Sequence, residues 1–294
     1  MRPGSGAPAA FSGPPADSDP AAMPTRKRAS SRMGGMVKTS DRIRSVLVTV
    51  MAVAQVLSAP VTSLTLGPEA EQRPISDANL SPVTPAGWAF AIWVLIYAGS
   101  LVLAVYQLLP SQLPRRVHRK TGWWLLGAFT ASTVWVPLFG TRVIWLSQIV
   151  IVMLVICLIL VAHRFTRIGP AENAAEQFAF RLPVMLYLGW ATVVCIAGFG
   201  AMFRSWGMSA DSRQMSEVGV ALVLSATIAS LFVVGRLAAI AGFLLAAFWG
   251  FIAVAAGTYV EDVRLAVVLA ITVVLAAVLG RILRSGERRT VLLG

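Results

Sequence analysis

Charge is scarce in this chain. Only 13% of its 294 residues are Asp, Glu, Lys or Arg, against about 25% in a soluble globular domain. All thirteen Asp and Glu fall in tails, in loops or at the ends of apolar runs, and no apolar run carries a Lys in its middle. Proton- and sodium-coupled transporters ordinarily place an ionisable group at mid-membrane, where it is costly and therefore functional. That device is missing. Cysteine and histidine occur twice each. Cys157 and Cys195 stand alone in apolar runs, with no C-x-x-C. They read as small apolar packing residues rather than a disulfide or metal ligands. His118 and His163 stand at the ends of two apolar runs and read as interfacial polar residues ahead of haem ligands. There is no P-loop, no nucleophile elbow, no H-E-x-x-H and no Cys/His metal spacing. Hydrolysis and phosphoryl transfer have no visible equipment, so no catalytic and no metal-binding residue is assigned, and an enzyme is the less favoured class.

What the chain has in excess is apolar length. It is 57% hydrophobic, with a mean hydropathy of +0.74. Eight apolar segments stand out, at 45–66, 83–109, 122–139, 143–162, 182–203, 218–234, 238–258 and 263–283. Each is long enough to cross a bilayer as a helix. A transmembrane barrel needs segments of about ten residues with alternating polarity, and these are almost uniformly apolar. The fold class is therefore all-α, a polytopic membrane protein of about eight transmembrane helices. The polar residues inside the segments are neutral: Gln55, Thr130, Ser132, Thr133, Gln148, Thr192, Thr227 and Ser230. Hydrogen bonding between helices accounts for most of them.

Basic residues alternate between the two ends of these segments. Twenty of the 25 Lys and Arg fall before the first segment, between segments 2 and 3, between 4 and 5, between 6 and 7, or at the end of the last. The other five are Arg73, Arg142, Arg204, Arg213 and Arg264. The positive-inside rule then places both termini in the cytoplasm, consistent with an even number of spans. The expected location is the plasma membrane of a bacterium. The net charge of +12 is mostly a topology signal, with contact to anionic lipid headgroups as a further use. Nothing calls for nucleic acid. Residues 1–44 are rich in Pro, Gly, Ala and Ser, with an Arg26-Lys27-Arg28 cluster. They read as a disordered basic tail rather than a cleaved leader. Met33 and Met36 are further candidate start positions. Residues 285–294 read as a short cytoplasmic tail.

Aromatic residues concentrate in three places. The stretch from Ser81 to Tyr97 opens with Pro82 and Pro85, which suit the first turn of a helix. Phe90, Trp93 and Tyr97 then follow at spacings of three and four, on one helical face. The third segment ends Ser132-Thr133-Val134-Trp135-Val136-Pro137-Leu138-Phe139-Gly140-Thr141-Arg142. Here Pro137 and Gly140 are expected to stop the helix, with Trp135 near an interface. The fifth segment places Tyr187, Trp190 and Val194 on one face. Such stripes pack helix on helix, or line a cavity for a flat apolar ligand.

Together these segments resemble the TspO/MBR family: the tryptophan-rich sensory proteins of bacteria and the translocator protein of mitochondria. The run Thr84-Pro85-Ala86-Gly87-Trp88-Ala89-Phe90-Ala91-Ile92-Trp93, with Ile96-Tyr97, looks like the family's proline-led second helix. Trp135 to Arg142 looks like the end of its third helix. Tyr187-Leu188-Gly189-Trp190-Ala191-Thr192-Val193 looks like the start of its fifth. The resemblance covers 45–203 and implies a five-helix bundle; residues 204–284 would add three helices. It also implies a pocket for a flat apolar ligand such as a porphyrin or another tetrapyrrole, held without a covalent link. The implied role is sensory or regulatory, with transport of an apolar metabolite or slow porphyrin modification as alternatives. Trp93 and Trp190 look like the family's two pocket tryptophans, and Phe90, Tyr97, Tyr187, Ser132 and Trp135 complete the candidate ligand-binding set. Two positions depart from the family pattern. Ser132 and Gly198 stand where many members carry an Asn, so polar recognition of the ligand is expected to differ. In the last three segments Gly242, Ala246 and Gly250 form a small-residue row. It reads as a seam within the chain ahead of a homodimer interface.

The charge asymmetry yields a topology test. A reporter fused after Gly294, or inserted within 115–120, is expected to report the cytoplasm, and one at 69–73 the outside. A C-terminus found outside would overturn the eight-span reading.

Overall fold

Eight long apolar helices carry the fold among the described residues, which are 36–285 and 291–293 of a computed structural model. In lipid every backbone polar group must be paired internally, so uninterrupted apolar runs fold as helices. They are α1 Thr39–Leu66, α3 Ile92–Leu108, α4 Arg116–Gly140, α5 Ile144–Ile168, α6 Leu182–Ser205, α7 Arg213–Arg236, α8 Ala241–Gly257 and α9 Glu261–Ser285. A short helix, α2 Gln72–Ala78, lies between α1 and α3. Seven of the long helices, counted with their flanking turns, have the length and composition of membrane spans; α8, with 17 residues, is the shorter apolar one. At 1.5 Å per residue α8 reaches about 26 Å, near the lower limit for a span. The chain is a multi-pass membrane protein. Residues 1–35 of the expected disordered tail, and 286–290 and 294 of the C-terminal tail, lie outside the described residues.

Three boundaries differ from the sequence reading. Helix α1 starts at Thr39 rather than near residue 45, because Asp41 accepts a hydrogen bond from the Lys38 N–H at 3.0 Å and pairs with Arg44 at 2.8 Å. Pro82 and Pro85 precede the helix instead of opening it. Residues 81–86 are irregular, and a 3-10 turn over Gly87–Ala91 leads into α3. That irregular backbone is satisfied inside the protein: the Ser81 N–H donates to Thr84 Oγ1 at 2.9 Å and the Ala86 N–H to the Ala253 carbonyl at 2.9 Å. Pro137 sits within α4 rather than ending it, and the helix runs on to Gly140. The stop comes at Arg142, whose φ of 63° lies in the left-handed region.

Helices α4 and α5 form a tight antiparallel hairpin, and α6 touches α3, α5, α7 and α8. Of the apolar stretch in Ala174–Ser205, which contains α6, 67% is buried, against 17% for α9. Helix α6 is therefore the central post and α9 the lipid-facing edge. Small residues let α8 lie against α6. A Cβ on Gly242 would stand 2.8 Å from Leu186 N, one on Gly189 2.9 Å from Ala246 Cβ, and one on Gly250 2.8 Å from Val193 Cγ1. The Gly242-Ala246-Gly250 row is thus taken up within the chain. Gly257 continues it, with room for no Cβ beside the Thr84 carbonyl at 2.7 Å. Trp249 adds a hydrogen bond from Nε1 to the Ala89 carbonyl at 3.0 Å, and packs edge-on to Trp88. The described residues from Val37 onward form one compact unit.

The charged residues gather at the helix ends. Asp41 of α1 pairs with Arg119 of α4 at 2.6 Å, Arg181 with Glu176 at 2.6 Å, and Arg115 with Glu172 and Glu176. These residues lie where the basic excess falls in the sequence, so the two ends of the bundle differ in charge.

The seam supplies a stability test. Gly242→Val is expected to cost about 2–3 kcal/mol by overpacking against the α6 backbone, read as a lower melting temperature in detergent. Gly235→Ala, which meets nothing within 4 Å, should leave it unchanged or slightly raised. Equal melting of the two variants would contradict the close approach.

Candidate functional site

Trp93 on α3 stands at the centre of an aromatic cluster. Its ring stacks on Tyr97 with centroids 5.3 Å apart and lies 5.9 Å from Trp135 of α4. It meets Tyr187 and Trp190 of α6 edge-on at 6.0 and 6.2 Å. Phe90, from the 3-10 turn before α3, meets Trp190 edge-on at 6.2 Å. These edge-to-face and offset arrangements are the ones the ring quadrupole favours. The spacing of three and four in Phe90-Trp93-Tyr97 explains the convergence, since one face of the turn and helix carries all three toward α6. Trp190 and Ser132 are fully buried, Tyr187, Trp135 and Trp93 nearly so, and Phe90 and Tyr97 partly. Trp135 is therefore an interior residue and does not face lipid.

Six of the seven expected site residues meet through their rings, and the seventh, Ser132, lies among them. Tyr97 and Tyr187 turn their hydroxyls toward Ser132, although Ser132 Oγ completes no hydrogen bond of ordinary geometry. The Tyr187 hydroxyl donates to Gln55 Oε1 of α1 at 3.3 Å. The indole nitrogens of Trp93 and Trp190 are buried without a protein acceptor, as is Gln55 Nε2. Buried donors normally have partners, so this cluster offers hydrogen-bond capacity inside an apolar shell.

A cavity of about 30 Å³ borders the cluster. Phe90, Trp135 and Trp190 form part of its wall, while Trp93, Tyr97, Tyr187 and Ser132 stand behind them. Gln72 and Ser76 of α2 close one side, and Val194, Ala197 and Gly198 of α6 the other. Gln148 of α5 also reaches in. A Cβ on Gly198 would stand 3.3 Å from Gln148 Cδ and closer still to its Oε1. The amide Nε2 of Gln148 donates to the Cys195 carbonyl at 2.8 Å. The space beside Gly198 is thus filled by the amide of Gln148 from the neighbouring helix.

Sequence reasoning missed Phe129 and Phe139 of α4, which stack on Tyr187 and Trp135. The spacing Phe129, Ser132, Trp135, Phe139 lies on one helical face and carried the signal. The place of Gln148 had no local signal, because it depends on how α5 meets α6. His118 differs from its interfacial reading: it is fully buried, between Tyr106 at 5.6 Å and Phe180 at 4.6 Å.

The family model described as TSPO-like protein matches residues 44–283, all eight long helices. No curated protein and no solved structure matches the chain significantly.

The pairing of Gly198 with Gln148 is open to a double-mutant cycle. Gly198→Ala is expected to push the Gln148 amide off the Cys195 carbonyl and cost about 1–2 kcal/mol. With Gln148→Ala already present, the same change should cost less by about 1 kcal/mol. Additive losses in detergent melting would show that the two positions are independent.

Proposed function

The chain belongs to the TSPO-like family, and from that premise we propose that it binds a flat apolar ligand of the tetrapyrrole class between α3, α4 and α6, in a sensory or regulatory role. The observation that carries the reading is the buried cluster itself. It offers broad π faces for stacking a macrocycle and two indole N–H groups with no protein acceptor. Its chemistry suits a porphyrin, whose flat ring is apolar and whose carboxylate side chains accept hydrogen bonds. Its present size does not. Ligand pockets span about 300–1,000 Å³, and this cavity holds about 30 Å³, room for a water or two.

Binding therefore opens the cluster, and α2 is the element to move. It is seven residues long, it supplies Gln72 and Ser76 to the wall, and Ile75 is its one fully buried side chain. The other walls belong to long packed helices and to the Pro85–Phe90 segment, which α8 holds through the Ala86–Ala253 hydrogen bond and Trp249. The bacterial plasma membrane, with both termini in the cytoplasm, is the setting the charge pattern supports.

Titration with a porphyrin, followed by tryptophan quenching, tests the reading. Trp93→Ala and Trp190→Ala are each expected to weaken binding by about 1 kcal/mol, near fivefold. Trp145→Ala, at an exposed position, should leave it unchanged. Removing a buried indole also costs about 3–5 kcal/mol of stability, so Trp93→Phe and Trp190→Phe serve as folded companions. Equal losses at all three tryptophans would overturn the site. Saturable binding without gradient-driven uptake in proteoliposomes, and without light-dependent loss of porphyrin absorbance, is the expected outcome for a sensor.

A further inference from the structure

A second concave site lies at the basic end of the α4–α5 hairpin, away from the aromatic cluster. It measures about 490 Å³, and Arg116, Lys120, His163, Arg164 and Arg167 line it. Among the described residues no carboxylate lines it. At the same end of the bundle Arg44, Arg115, Arg119 and Arg181 are ion-paired with Asp41, Glu172 and Glu176. Among the described residues, Arg116, Lys120, Arg164 and Arg167 make no such pair. Among the described residues the carboxylates in this group pair with one set of cations, and the other set lines an open pocket.

Exposed apolar side chains lie beside the pocket. Arg116, Lys120 and Trp124 recur every fourth residue along one face of α4. Arg164 lies over the Trp124 ring, 5.2 Å from its centroid. Trp124 is 37% exposed and Leu160 lines the pocket floor. Toward mid-membrane, α5 leaves Ile156 exposed. A charged mouth at the helix ends that leads onto lipid-facing apolar side chains matches a molecule with an anionic head and an acyl tail.

We propose that this pocket is a specific site for an anionic phospholipid, with the phosphate held by Arg116, Lys120, Arg164 and Arg167 and a chain lying along Trp124 and Leu160. Arginine forks suit phosphate oxygens, and basic pockets between membrane helices attract anionic headgroups. A free phosphate would use the mouth alone and gain nothing from the apolar surface beside it.

Native mass spectrometry of the full chain in detergent, titrated with phosphatidylglycerol or phosphatidylcholine, tests this. The wild type is expected to retain phosphatidylglycerol about tenfold or more in preference to phosphatidylcholine. Arg116→Gln/Lys120→Gln/Arg164→Gln/Arg167→Gln should abolish that preference. The opposite-end variant Arg213→Gln/Arg264→Gln should keep it, as should Arg116→Lys/Arg164→Lys/Arg167→Lys, which preserves charge and guards against misfolding. Inorganic phosphate at millimolar concentration should not displace the lipid. Undiminished preference in the quadruple Gln variant, equal loss in the opposite-end variant, or displacement by phosphate would each overturn the proposal.

Discussion

Helix α6 and helix α8 touch backbone to backbone, and the rest of the bundle is arranged around that contact. Within a bilayer the lipid tails are as apolar as the side chains, so burial drives helices together weakly and close van der Waals packing does most of the work. Gly189, Gly242 and Gly250 remove the Cβ atoms that would hold the two helices apart. The contact fixes the rotation of α6 about its own axis. Gly189 faces α8, while Tyr187 and Trp190 face α3 and α4. The same α8 holds the proline-led segment through the Ala86–Ala253 hydrogen bond and Trp249. That segment delivers Phe90 and Trp93. Helix α8 thus sets both walls of the aromatic cluster without entering it.

Polarity is distributed with the same economy. The interior carries neutral amides, hydroxyls and indoles, and the ions lie at the helix ends, where Asp41 and Glu176 each gather arginines. Neutral groups suit a site that recognises an apolar molecule by stacking and a few hydrogen bonds. They do not suit a device that carries a proton or sodium ion across mid-membrane. The proposed ligand site and the proposed lipid site therefore differ in kind. One is aromatic and closed, and the other is charged, open and at the membrane boundary.

Much of this was legible in the residues. Apolar runs of the right length gave the eight helices, since lipid leaves the backbone no other solution. Spacings of three and four put Phe90, Trp93 and Tyr97 on one face, and the fold brings that face to Trp190. The misreadings were at positions where tertiary contacts overrule local rules. Pro82 and Pro85 look like a helix start, yet α8 offers their segment an external acceptor and it stays irregular. Pro137 looks like a stop, yet α4 absorbs it. His118 looks interfacial, yet Tyr106 and Phe180 enclose it. Gln148 reads as one polar residue among many, and its role beside Gly198 emerges only when two helices meet.

In the proposed binding mode the ligand enters beneath α2 and reaches the Trp93–Trp190 cluster. Photo-crosslinking with a diazirine-bearing porphyrin, followed by peptide mapping, tests it most directly. Saturable adducts are expected within residues 72–90 and 187–201. Adducts confined to the lipid-facing groove between α7 and α9, lined by residues such as Leu224 and Leu269, would contradict it.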